Sequence, residues 1–228
     1  MRKISRHWGM AGLVLVVLGV CATYSRAQAK PFASPYTVGA PASASAERNT
    51  VPFGSVANPP FGYVSFCMRF PDQCPFGNKQ APAVPVWRYW PQIVSINQQV
   101  NRAIAPESAL KHYGRAQYWN IPTDGLGDCV DYALTKRRDL ARAGIPLSDL
   151  NIAIVKLPDG ELHAVLAVHT SDGDYVLDNL RTAIVLWKYT GYTFLSRMSA
   201  ESPSYWVTVN LLHPTELAAS NGGLRQED

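Results

Sequence analysis

"NIAIVKLPDGELHAVLAVHTSDGDYVLDNL", residues 151–180, decides the fold class. Apolar residues alternate through 151–157, a Pro-Asp-Gly turn follows, and alternation resumes through 161–168, which is the pattern of a β-hairpin. "YVLDNL" (175–180), "AIVLW" (183–187) and "YWVTVNLL" (205–212) predict further strands. Upstream the period is helical. Residues 90–104 put Ile93, Ile96, Val100 and Ile104 on one face, with Pro91 suited to a first turn. "PESALKHY" from Pro106 predicts a short helix, and "CVDYALTKRRDLARAG" from Cys129 a longer one, stopped at Gly144 before Pro146. Helices first and an antiparallel sheet second is an α+β arrangement.

The 228-residue chain begins with Arg2, Lys3 and Arg6, an apolar run from Met10 to Ala22, and the small-x-small triplet Ala27-Gln28-Ala29. That order is a signal peptide cleaved near Ala29, so a periplasmic or secreted product is expected. The apolar run falls short of the roughly 20 residues a membrane span needs, although a retained anchor is the alternative. Val20 is too bulky for lipoprotein processing at Cys21. The formal charge of +4 belongs to this segment: it carries four of the 21 basic residues and no acid, which leaves 17 against 17. No basic stripe then remains to hold nucleic acid. Residues 30–60, rich in Pro, Ala and Ser, read as a linker, 61–213 as one domain, and 214–228 as a tail without a core pattern.

Cys67 and Cys74 flank a proline-bent segment, "CMRFPDQC", and an oxidising compartment favours a short-loop disulfide between them. Two separate buried thiols are the alternative. Pairing leaves Cys129 alone. It follows Gly127-Asp128 at the start of the third helix, where the helix dipole favours the thiolate and the charges of Asp128 and Asp131 oppose it. Both acids also suit helix capping. A nucleophilic cysteine needs a base, and the base an orienting acceptor. His163 and Asp178 are polar residues set in apolar strands. Singly, each has a structural explanation: a core thiol, a satisfied strand histidine, a turn-forming aspartate. Together they are linked by geometry. If 163–168 pairs with 173–178 around a four-residue loop, 169–172, His163 lies opposite Asp178. A tighter turn centred on Asp172-Gly173 would put His163 opposite Thr182 instead.

"YWNIPTDGLGDCVDYALTKRRDLARAGIPLSDLNIAIVK", "HAVLAV" and "YVLDNL", in that order, resemble the bacterial transglutaminase-like cysteine peptidases, the papain-superfamily group of LapG-type periplasmic proteases. The resemblance runs from about Trp87 to the last strand. It implies a papain/transglutaminase-like fold, Cys129 as nucleophile, His163 as base, Asp178 as orienter, and the helix-start amide as part of an oxyanion hole. It puts Trp119 in the tryptophan-x-x-proline motif before the cysteine, lining the cleft or packing beneath it. Asn179 supports the site or ends the strand. Calcium-binding members read D-C-E-D around the cysteine, whereas here Val130 stands in place of the glutamate, so no calcium requirement is expected. Asp128 and Asp131 would be the ligands of any weak calcium site. The implied substrate is a protein, such as a surface adhesin, with a membrane receptor as partner. Transglutamination and cell-wall amide hydrolysis would use the same three residues, and a non-catalytic binding module would use them for packing.

Overall fold

The computed structural model describes residues 49–75, 83, 85–199 and 204–209. The expected signal peptide, most of the linker and the tail lie outside the described residues. The main sheet has seven antiparallel strands: β1 (Val56–Ala57), β4 (Leu150–Lys156), β5 (Leu162–Thr170), β6 (Gly173–Leu177), β7 (Val185–Leu186), β8 (Thr193–Met198) and β9 (Trp206–Thr208). Their order is β1-β9-β8-β4-β5-β6-β7. Four helices precede the hairpins: α1 (Phe61–Arg69), α2 (Val86–Ala103), α3 (Ala109–Tyr113) and α4 (Cys129–Arg142). Between them β2 (Ala105–Pro106) and β3 (Leu126–Gly127) form a short parallel pair. The α+β reading therefore holds.

Alternation along β5 sorts its side chains between two layers. Ala164, Leu166 and Val168 face the layer that holds Val130, Ala133 and Leu134 of α4 and Tyr63 and Phe66 of α1. Val165 joins Ala153, Val155, Val176 and Phe194 on the other face, covered by Val51, Trp187 and Tyr192. Because β5 is buried on both faces, truncating a leucine such as Leu166 costs about 3 kcal/mol.

Three features depart from the sequence reading. α2 begins at Val86, so Pro91 sits inside it rather than in its first turn; the missing N–H forgoes only the bond to the carbonyl of Trp87, in an exposed turn. The expected linker ends too late. Val51 is fully buried, and Val56–Ala57 pair with β9, so residues from 49 onward belong to the domain. The β5–β6 turn is two residues, Ser171-Asp172, not four, because Thr170 already pairs with Gly173.

The Cys67–Cys74 disulfide is present. It closes α1 onto a 3-10 turn, Pro71–Gln73, whose Gln73 carbonyl accepts a 2.7 Å bond from the buried Arg137 of α4. On the inner side of α1, Trp119 lies directly over Gly62 and meets the rings of Tyr63 and Trp206 edge-on. A Cβ on Gly62 would overlap the Trp119 ring and the Gln117 carbonyl. Gly62→Ala should thus destabilise the fold by about 2–3 kcal/mol through overpacking, read as a lower denaturation midpoint with an unchanged m-value.

Candidate active site

The start of α4 is fixed by a reciprocal capping box. Asp128 Oδ1 accepts the backbone N–H groups of Val130 (3.1 Å) and Asp131 (3.4 Å), and Asp131 Oδ2 accepts that of Asp128 (3.3 Å). Asp131 is fully buried and also receives the Asn120 N–H (2.9 Å) and the Tyr113 hydroxyl (3.1 Å). Burial, and then the neighbouring Asp128 charge, push the Asp131 carboxyl up to about 7. Asp128 is raised as well, by burial, against hydrogen bonds from Asp131, Val130 and Ala109.

Cys129 is the first residue of that helix and is half-buried. Its thiol is pushed up to about 12, chiefly by burial and secondly by the charge of Asp128; backbone N–H groups of Ala164 and Val130 offset only part of this. Desolvation, and after it carboxylate repulsion, thus favour the protonated thiol. At neutral pH the sulfur keeps its proton.

Ala164 is the next residue on β5 after His163. The imidazole is 5 % exposed, and its Nε2 lies 2.9 Å from Asp178 Oδ1. With the carboxylate accepting, Nε2 carries the hydrogen and Nδ1 is left as the basic nitrogen. The contact survives the unexpected turn for a simple reason. In the observed register Leu166 faces Leu177, which places Asp178 level with Val165 and not with His163. A displacement of two residues keeps both side chains on the same face, since the side-chain period is two, and Asp178 reaches the ring diagonally. His163 pairs with Val155 of β4 near the start of β5. Among the described residues no hydrogen bond joins Cys129 to His163.

Asp178 lies just past the end of β6 and is almost fully buried. Burial alone would raise its carboxyl. Hydrogen bonds from His163, the Leu180 N–H (3.0 Å) and the Tyr192 hydroxyl (2.7 Å) outweigh that and hold it below the usual carboxylate range. Arg181 Nε lies 3.7 Å from Oδ2, and Asn101 of α2 donates to the Asp178 carbonyl at 2.8 Å. Lys136, seven residues along α4 from Cys129, is 1 % exposed; burial lowers its amine to about 7, while Asp178 draws it back upward. Tyr192, Arg181, Asn101 and Lys136 are the residues of this site missed from sequence. Only Lys136 left a trace, as a basic residue in an otherwise buried helical face.

Trp119 is 4 % exposed and packs between Tyr63 and Trp206, so it is a core residue and not a lining of the cleft. Asn179 follows the end of β6. Asp128 and Asp131 fit a calcium site poorly: Asp128 Oδ1 and both oxygens of Asp131 already accept hydrogen bonds from the protein, and residue 130 is valine.

A free cysteine thus opens a helix that packs on an antiparallel sheet, and the histidine of a neighbouring strand binds an aspartate just past the end of the next, an arrangement in keeping with a transglutaminase-like cysteine peptidase. The chain belongs to the bacterial transglutaminase-like cysteine proteinases (BTLCP), whose family model matches residues 53–213. Similar solved structures include calcium-bound Legionella pneumophila LapG, 20 % identical, with 71 % of this chain and 88 % of that one covered and a TM-score of 0.46. EGTA-treated LapG from the same organism is 21 % identical, with 64 % and 75 % covered and a TM-score of 0.45. No curated protein matches significantly.

Asp128→Asn keeps the helix cap, because asparagine caps as well as aspartate, and removes the charge that raises the thiol. Iodoacetamide alkylation of Cys129 at pH 8 should therefore be faster in Asp128→Asn than in the parent protein, with the denaturation midpoint nearly unchanged.

Proposed function

We propose that this peptidase hydrolyses peptide bonds of an envelope or cell-surface protein, with Cys129 as nucleophile, His163 as general base and Asp178 as its orienter. The observation that carries this reading is the 2.9 Å bond from His163 Nε2 to Asp178 Oδ1, which leaves Nδ1 free on the strand that Cys129 abuts. The thiol proton passes to Nδ1 as sulfur attacks the scissile carbonyl carbon. The resulting oxyanion is received by the backbone N–H of Cys129, one of the unpaired amides at the helix start. The C–N bond then breaks, the imidazolium gives its proton to the leaving amine, and water releases the acyl group from sulfur. A thiol that is neutral at rest suits a base that acts during attack, as it does for a serine hydroxyl. Sulfur and imidazole come into hydrogen-bond contact when substrate binds, as catalytic hydrogen bonds commonly tighten only in the substrate complex.

Export is supported by the signal-peptide pattern of residues 1–29 and by the Cys67–Cys74 disulfide. The resemblance described for the sequence favours a surface adhesin as substrate and a membrane receptor as regulator. Catalysis proceeds without calcium, because the carboxylates beside Cys129 already serve the helix and Val130 supplies no oxygen from its side chain.

Cys129→Ala and His163→Ala should each lower hydrolysis at least ~10³-fold while leaving the unfolding transition in place. A rate that survives Cys129→Ala would sink the scheme. Mass spectrometry of the products separates a water-derived carboxylate, the expected result, from an isopeptide cross-link.

EGTA should change the rate by less than about twofold, since two engaged carboxylates make a weak calcium site at best. Loss of activity on chelation, restored by added calcium, would contradict this.

A further inference from the structure

The His163–Asp178 pair is braced by a residue outside every motif in the sequence. The Tyr192 hydroxyl donates to Asp178 Oδ2 at 2.7 Å. The Tyr192 ring stands edge-on to the His163 imidazole, with centroids 6.2 Å apart and planes at 83°. One side chain thus touches both members of the pair. Burial, followed by the hydrogen bond to Asp178 and then that group's charge, raises the Tyr192 phenol, so at neutral pH it is a hydrogen-bond donor.

Its direction is set from behind. Gly191 has φ +76°, a left-handed value that other residues rarely adopt. The Tyr192 N–H donates to Thr190 Oγ1 at 3.1 Å, and that hydroxyl donates to the Trp187 carbonyl at 2.6 Å. Arg181 lies across the ring at 4.6 Å from its centroid and donates to the Thr190 carbonyl at 2.9 Å. The segment 187–192 is therefore a small built turn whose product is the placement of one phenol.

We propose that Tyr192 is a positioning residue of the reaction: its hydroxyl keeps Asp178 ionised and in place, and its ring confines the imidazole so that Nδ1 stays on the cysteine side. This rests on the triad reading above. The charged and titratable groups facing Asp178 are His163 from β5, Lys136 from α4, Arg181 from the loop after β6, and Tyr192 itself. Arg181 and Lys136 act through space on the carboxylate, whereas Tyr192 makes a directed bond to it and also meets the ring. A hydrogen bond to the ionised form lowers a carboxyl pKa, so its removal raises that pKa.

The test is Tyr192→Phe in the full chain, which keeps the ring and removes the donor. The Asp178 carboxyl, followed by carbon-13 NMR, should titrate at higher pH by about one unit. The acid limb of kcat/KM should move upward with it. At the optimum kcat should fall about tenfold, the rate equivalent of one lost hydrogen bond, with KM little changed. Gly191→Ala keeps the hydroxyl but strains its turn, and should give the same displacements. An Asp178 titration unmoved in Tyr192→Phe overturns the proposal, and so does a moved titration with an unmoved pH profile. If activity survives Cys129→Ala, the reaction scheme fails on its own account, while the Asp178 titration, which needs no turnover, still decides whether Tyr192 holds the carboxylate.

Discussion

Two carboxylates within four residues set the position of everything at this site. Asp128 and Asp131 cap the first turn of α4, and Asp131 also binds the Asn120 amide and the Tyr113 hydroxyl, so the helix start is bolted to the chain segment that precedes it. A buried carboxylate without such donors would be costly; with them it fixes one helix origin to within a hydrogen bond. The same charges act against the thiol they position. Burial and the Asp128 charge favour the protonated form of the thiol.

The electrostatics of the site are correspondingly lopsided. On the cysteine side stand Asp128 and Asp131, and among the described residues no salt bridge joins either to a cation, His112 acting on Asp128 only through space. On the other side Asp178 is surrounded by donors and positive charge: His163, Tyr192, Arg181, the Leu180 amide and, through space, Lys136. Those donors hold the Asp178 carboxyl below the usual carboxylate range, and a carboxylate accepting at Nε2 makes that ring nitrogen the hydrogen donor. Lys136 belongs to the same helix as Cys129, so α4 carries the free thiol at its tip and, two turns later, an amine that interacts with Asp178.

The antiparallel sheet and the long α4 were legible because their patterns are strong: uninterrupted alternation at 151–157 and 161–168, and a capped helix ending at a glycine. β8 was not. In "TFLSRM" Phe194 is buried and Leu195 largely exposed, but Arg197 is buried at 1 % exposure, with its guanidinium over the Phe53 ring. A buried cation breaks the polar-out pattern, and the ring that accommodates it lies far away in sequence. α1 was hidden for a related reason: Phe61, Val64 and Met68 are exposed, so its apolar residues do not fall on a single face. At the site, Cys129, His163 and Asp178 could be named from their unusual settings. Tyr192 could not, because an aromatic in a turn before a strand has an ordinary appearance until the fold brings Asp178 beneath its hydroxyl.

The turn between β5 and β6 explains why the pairing of His163 with Asp178 tolerates error in its prediction. The register differs by two from the one that places the residues face to face, and two is the period of the strand. A shift of one would have turned the Asp178 side chain to the opposite face of the sheet, away from the ring and from Tyr192. The two-residue turn is held from outside β5 and β6 by Val51, whose N–H donates to Asp174 at 2.7 Å, and by the Asn49 side chain, which donates to the Asp172 carbonyl; within the hairpin His169 Nδ1 also binds Asp174 at 2.7 Å. His169 is raised by its bond to Asp174, so its contribution to stability is complete below the unfolded histidine value of about 6.5 and is lost as pH rises through the higher folded value. The segment leading into β1 thus does more than cover the second face of the sheet. By gripping the turn it holds the strand register, and through the register it keeps Asp178 on the side where His163 can use it.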